Sequence, residues 1–133
     1  MKIKAYVDGS YRNEKVGWGA VILKGETLYG EFCGVLEEEE VQGTRQVAGE
    51  LMAVREVLFW CKENKVTELS IYYDYKGVEE WVTGGWKAKK EITQNYRDYV
   101  RASGIKITWV KVKSHSGDYY NDMADRLAST MLE

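Results

Sequence analysis

Four carboxylic acids stand where side-chain chemistry would show in this chain. Asp8 falls in KIKAYVDGSY, Glu50 in VAGELMAV, Asp74 in IYYDYKG and Asp125 in NDMADRLA. Singly, each has an ordinary use. An Asp after a strand makes turns, a Glu early in a helix favours the helix dipole, and an Asp on a terminal helix faces solvent. Gathered into one pocket, they would repel and their pKa values would split. Divalent cations turn that repulsion into binding. Mg²⁺ takes oxygen ligands at about 2.1 Å and keeps several waters, which a few carboxylates and a substrate phosphate supply. Two such ions about 4 Å apart clamp the attacking and leaving oxygens of an in-line phosphoryl displacement. That chemistry requires acids from separate elements.

The elements follow from periodicity. Residues 2–8 alternate, with Ile3, Ala5 and Val7 on one face and Lys2, Lys4, Tyr6 and Asp8 on the other, which makes a strand. The chain is expected to turn through Gly9 and Ser10. Residues 17–23 and 27–35 are two further strands joined by a hairpin-like KGE, so the chain opens as an antiparallel meander. The run EEEE at 37–40 reads as a solvated loop. From Gln46 to Asn64 the period changes: Val47, Leu51, Val54, Leu58 and Cys61 mark an amphipathic helix with Glu50 beside its apolar stripe. A strand over 68–73 ends at Asp74. A short helix over 76–83 is broken by Gly84 and Gly85, and a further helix spans 91–102. A strand over 105–112 leads through SHSGD to a last helix from Tyr119 to about Leu132, with Tyr120, Met123, Leu127 and Met131 inward. The later β-α-β units require parallel pairing through right-handed crossovers. The expectation is an α/β fold, a mixed sheet with helices on its faces. Its sites lie beyond the carboxyl ends of the parallel strands.

Bulk properties narrow the class. The chain has 133 residues, 44% hydrophobic and 30% charged, which suits one globular domain over residues 1–133. Its net charge of −2 argues against a simple phosphate-coating protein but not against an enzyme whose acids bind cations. No apolar run reaches the roughly 20 residues of a membrane helix, and the opening MKIKAYVDGS, without a long apolar stretch, leads us to expect no secretory signal. Cys33 and Cys61 are expected as reduced core thiols of a cytoplasmic protein. Proline is absent, so turns fall to the 13 glycines and to Asn and Asp.

Four stretches in order carry a family resemblance. They are YVDGS with the following GWGAV, then GELMAV, then IYYD, then VKVKSHSG with NDMADRLA. Together they resemble type 1 ribonuclease H over essentially the whole chain, nearest the bacterial branch with R-x-VAGE and YYDYxG forms of the second and third motifs. The resemblance implies a ribonuclease H-like fold with a five-stranded sheet whose first three strands are antiparallel. It implies cleavage of the RNA strand of RNA–DNA hybrids to 5′-phosphate and 3′-hydroxyl ends. By position, Asp8, Glu50, Asp74 and Asp125 match the family's metal-binding acids. Asp8 and Asp74 would bridge or flank two Mg²⁺ ions, which Mn²⁺ could replace. Glu50 would also sit near the ribose 2′-hydroxyl. Asp125 would hold the ion that activates water. Asp122 shares a helix face with Asp125, and spacing does not choose between them; the resemblance favours Asp125. His115, the only histidine, would serve proton transfer or product release.

Holding a hybrid requires telling RNA from DNA, and the 2′-hydroxyl is the distinguishing group. The resemblance puts backbone around Gly9 and Ser10 and the segment Arg45–Glu50, including Gln46, against it. In GGWKAKK, Trp86 would lie against deoxyribose while Lys87, Lys89 and Lys90 meet DNA phosphates. Trp81 is as well explained by core packing. Tyr11, Arg12 and Asn13 could edge the groove. The chain also departs from the family: Thr44-Arg45-Gln46-Val47-Ala48-Gly49 stands where many members carry Thr-Asn-Asn, no Asn-Pro-Gly loop follows DGS, and the basic protrusion is reduced. A monomer acting on an RNA–DNA hybrid, without a membrane, is the expectation. Two alternatives remain: a transposase- or integrase-like DNA nuclease of the same fold, and a catalytically idle hybrid-binding module. The first would cut DNA duplex or junctions; the second would turn over nothing with Mg²⁺.

Overall fold

A computed structural model describes residues 2–37, 44–113 and 118–133. The strands are β1 (Ile3–Arg12), β2 (Lys15–Lys24), β3 (Thr27–Glu37), β4 (Glu68–Tyr73) and β5 (Lys106–Lys111). The helices are α1 (Gln46–Glu63), α2 (Gly77–Thr83), α3 (Glu91–Ala102) and α4 (Tyr119–Thr130). The five strands form one sheet in the order β3-β2-β1-β4-β5. β2 pairs antiparallel with both β1 and β3, β4 pairs parallel with β1, and β5 pairs parallel with β4. The mixed α/β architecture expected from the sequence is the one observed.

The sheet separates two apolar layers. On one face Ala5, Val7, Ala20, Ile22 and Ile71 pack against Leu51, Val54, Val57, Leu58 and Cys61 of α1, with Tyr96 and Val100 of α3 closing the layer. The helical spacing of that stripe is what buries it. On the other face Tyr6, Val21 and Leu23 meet Met123 and Ala124 of α4. Tyr96 donates its hydroxyl proton to the Val78 carbonyl oxygen at 2.7 Å, which satisfies its one buried polar group. No helix among the described residues is long and apolar enough to cross a membrane.

Four local expectations are corrected. β1 does not turn at Gly9 and Ser10; both stay in the ladder, opposite Trp18 and Gly17. The turn falls at Asn13 and Glu14, with φ of 53° and 62°, the left-handed pair that a two-residue hairpin demands. β3 runs on through Glu37, since pairing with Lys15 extends it into the acidic run; positions 38–40 of that run lie outside the described residues. Cys33 is exposed on the edge strand rather than in the core, while Cys61 is buried, and both thiols are unbonded. Met131 is 39% exposed and Leu132 is the buried residue, because α4 ends at Thr130 and the chain leaves the helical period there.

Candidate active site

Asp8 lies on β1 on the same face as Tyr6, towards α4. β1 and β4 pair with Lys4 opposite Ser70 and Tyr6 opposite Tyr72. The same register, carried two residues on, sets Asp8 level with Asp74. Two close backbone approaches bring the remaining acids in. A Cβ on Gly9 would stand 2.1 Å from the Gln46 carbonyl oxygen and 2.7 Å from the Glu50 nitrogen, and one on Gly49 would stand 3.0 Å from Gly9 Cα. The start of α1 therefore rests directly on β1, which a side chain at either position would prevent. On the opposite face, a Cβ on Gly17 would stand 2.0 Å from the Ala128 carbonyl oxygen, and one on Gly19 2.4 Å from that of Ala124. That contact seats α4 against β2 and turns Asp125 towards Asp8.

The result is a cleft of about 320 Å³ lined by Asp8, Gly9, Gln46, Val47, Glu50, Asp74, Tyr75 and Asp125. Asp122 does not line it, so of the two acids on α4 the structure brings Asp125 to the other three. Glu50 is 4% exposed, and its carboxylate accepts the Asp74 N–H at 2.7 Å and the Tyr75 N–H at 3.3 Å. These bonds tie α1 to the end of β4. Asp8 accepts the Gly9 N–H at 2.9 Å.

Burial raises the Asp8 carboxyl to about 7; Asp125, close by and hydrogen-bonded to it, pushes the same way, and the Gly9 N–H opposes. Burial likewise raises Glu50 to about 8, with Asp8 and Asp74 adding repulsion and the Asp74 and Tyr75 N–H groups opposing. The acids thus sit in a like-charge pocket that costs free energy when ionised. Among the described residues no three His, Cys, Asp or Glu side chains are already gathered at metal-ligand distances. Hard carboxylate oxygens crowded in one cleft nonetheless suit Mg²⁺, which asks for few protein ligands and retains water. The donor set fits such an ion.

A second cavity of about 350 Å³ adjoins the first, lined by Thr44, Val47, Tyr75, Trp81, Lys87, Lys89, Lys90 and Thr93. Val47 and Tyr75 border both. Trp86 is 37% exposed and packs in a triangle with Tyr75 and Trp81, ring centroids 5.8–5.9 Å apart. Trp81 lines this cavity and also packs on the main core, as the packing explanation expects. Gly9 and Gln46 line the acid cleft. Ser10 does not line it; its hydroxyl instead lies 3.4 Å from that of Ser129 on α4. His115 lies outside the described residues. The sequence reading missed Tyr75, whose backbone anchors Glu50 and which borders both cavities. Its signal was its place beside Asp74.

The strand order, with a cleft that gathers Asp8 of β1, Glu50 of α1, Asp74 just past β4 and Asp125 of α4, defines a ribonuclease H-like fold. The RNase H family model matches residues 1–133. Among curated relatives, the chain is 33% identical to a ribonuclease H of Verminephrobacter eiseniae over 96% of this chain and 88% of that protein. It is 32% identical to a ribonuclease H of Acetivibrio thermocellus over 99% and 95%. Among solved structures, RNase H1 of Halobacterium salinarum superposes with a TM-score of 0.82 at 20% identity, covering 99% of this chain and 98% of that one. LC11-RNase H1, solved with an RNA/DNA hybrid, gives 0.78 at 16% identity over 99% and 100%. The chain belongs to the RNase H family, of the type 1 kind, and is a hydrolase of the nuclease class.

Proposed function

We propose that this chain hydrolyses the RNA strand of RNA–DNA hybrids, leaving 5′-phosphate and 3′-hydroxyl ends, by a two-metal mechanism. The observation that carries this reading is the single cleft in which Asp8, Glu50, Asp74 and Asp125 meet. These four residues would hold the ions, Mg²⁺ with Mn²⁺ able to substitute. When bound, the ions supply positive charge and Lewis acidity at the reacting phosphate.

The chain's own residues do the rest. α1 opens at the cleft through Gln46 and Val47 and carries no acid in its first turn, so the positive end of its dipole favours an anionic or hydroxyl oxygen there. Gly9, Gln46 and Glu50, which line the cleft, would meet the RNA strand, with Glu50 near the 2′-hydroxyl that distinguishes ribose. Lys87 and Lys89 would take DNA-strand phosphates, and Trp86, fixed by Tyr75 and Trp81, would lie against deoxyribose. His115 would move a proton or help release product. The reading includes a single catalytic domain across residues 1–133, acting as a monomer in the cytoplasm.

The test is a gel assay on end-labelled RNA–DNA hybrid, DNA duplex and DNA junction, with and without EDTA. Cleavage of the hybrid's RNA strand alone, abolished by EDTA, is expected. Cutting of the duplex or junction instead would move the enzyme to the DNA-nuclease reading.

A further inference from the structure

α2 joins the two halves of the candidate site. The chain enters it from Asp74 and Tyr75 at the acid cleft and leaves it for Trp86 and the lysines of the adjoining cavity. Its exit is a tight turn. The Glu80 carbonyl oxygen accepts the Gly84 N–H at 3.0 Å and the Trp86 N–H at 3.1 Å. Gly84 takes the left-handed conformation, with φ of 96°, that such a cap needs. A Cβ on Gly85 would stand 1.7 Å from Glu80 Oε2, so that carboxylate folds back over the turn. Trp86 then closes on Trp81 and Tyr75. Residues 77–86 therefore form one packed unit.

Side-chain hydrogen bonds hold that unit from two directions. From α3, Tyr96 donates to the Val78 carbonyl oxygen, and Arg101 Nε donates to that of Val82 at 2.9 Å. From the sheet, the Tyr73 hydroxyl donates to the Glu79 carboxylate. Tyr73 ends β4, is 2% exposed, and meets Trp109 of β5 edge to face, ring centroids 5.9 Å apart. Burial, and then the Glu79 carboxylate, holds its hydroxyl above the ordinary range, so it remains a donor. Asp74, next in the chain, has its N–H held by Glu50. The strand end that places Asp74 thus also grips the unit that carries Trp86.

We propose that Tyr73 and Glu79 are a positioning pair: their bond fixes the separation between the acid cleft and the Trp86–lysine surface, and so fixes which RNA phosphate lies over the acids once the DNA strand is held. The proposal rests on the hybrid-cleaving reading. Neither residue lines either cavity. Tyr73 is locked in the core, whereas α2 has 7 residues and too few turns to hold its own place. Losing the bond lets α2 shift while Asp74, fixed by β4 and Glu50, stays. The cost falls on KM and on where the RNA is cut, not on the chemical step.

The test measures kcat, KM and cut positions on an end-labelled hybrid of fixed sequence, at a temperature where circular dichroism shows each variant folded. Tyr73→Phe, which removes only the hydroxyl, raises KM about fivefold, the factor one typical hydrogen bond carries. Its kcat is unchanged and its cuts spread to neighbouring phosphates. Glu79→Leu does the same, whereas Glu79→Gln, equal in charge but still an acceptor, stays near wild type. Tyr73→Phe with Glu79→Leu is no worse than either alone. With Lys87→Ala and Lys89→Ala already in place, Tyr73→Phe adds nothing to KM, because the grip it positions is gone. A bond that only stabilised the fold would lower Tm and leave KM, cut positions and this coupling unmoved. Unchanged KM and cut positions in Tyr73→Phe, or the same rise in KM with both lysines absent, overturns the proposal. A wild-type protein that cuts no hybrid overturns the functional reading and this pair with it; a wild type that cuts, beside an unaltered Tyr73→Phe, overturns the pair alone.

Discussion

Among single residues, Asp8 and Glu50 hold the largest electrostatic tension. Their carboxyls are raised to about 7 and about 8, so the folded chain binds protons that the unfolded chain has released. Stability of the metal-free protein is therefore full below the ordinary carboxylate range. It declines as pH rises through about 7 and 8, where the ionised penalty becomes complete. In EDTA at pH 8, Asp8→Asn or Glu50→Gln is expected to raise Tm by roughly 5 °C or more, and at pH 4 by almost nothing. Melts at both pH values check this; equal shifts at both would remove the electrostatic explanation. The same Asp8→Asn change, or Asp74→Asn, is expected to cut hydrolysis more than about 100-fold while circular dichroism stays native, since even outer-shell partners of a metal site cost 10–100-fold. Full activity in either folded variant would end the four-acid reading.

Among elements, the site depends on how closely two helices can approach the sheet. Gly9→Ala would push a Cβ to 2.1 Å from the Gln46 carbonyl and lift α1 off β1, parting Glu50 from Asp8. Destabilisation of about 1–3 kcal/mol with loss of activity is expected in denaturant titrations and cleavage assays. Gly17→Ala meets the Ala128 carbonyl at 2.0 Å and moves α4 instead, so Asp125 is the acid displaced. The two variants should both lose activity, one through each face. A Gly9→Ala protein as stable and active as wild type would refute the close-contact argument. Much of this level was legible in the sequence. The stripe Leu51, Val54, Leu58 and Cys61 has helical spacing and is buried as that spacing requires. The β1 turn was not legible, because glycine in GS signalled a turn while the antiparallel partner kept both residues in the ladder. The true turn uses Asn13 and Glu14, residues with no glycine to announce it.

For the whole molecule, the net charge of −2 conceals a division of labour. Acids collect in one cleft and lysines in the adjoining cavity. Changing Lys87 and Lys89 together to Ala is expected to raise KM for the hybrid and lower the salt slope of binding by about 1.8, two phosphates' worth. An unchanged slope would place the DNA strand elsewhere. Mg²⁺ binding should also stabilise the whole fold, by about 2.7 kcal/mol at a concentration 100 times its Kd. That gain should vanish in Asp8→Asn, as thermal melts with and without Mg²⁺ would show.

By itself the sequence determined the order of strands and helices, the family, and which four acids to watch. Those follow from periodicity and motif, which are local properties of the chain. Only the tertiary structure decided that Ser10 turns away from the cleft to Ser129. It also decided that Val47 and Tyr75 border two adjoining cavities. These depend on the angle and depth at which α1 and α4 settle on the sheet. Backbone contacts at Gly9, Gly49, Gly17 and Gly19 set that packing, and no spacing rule along one chain encodes it.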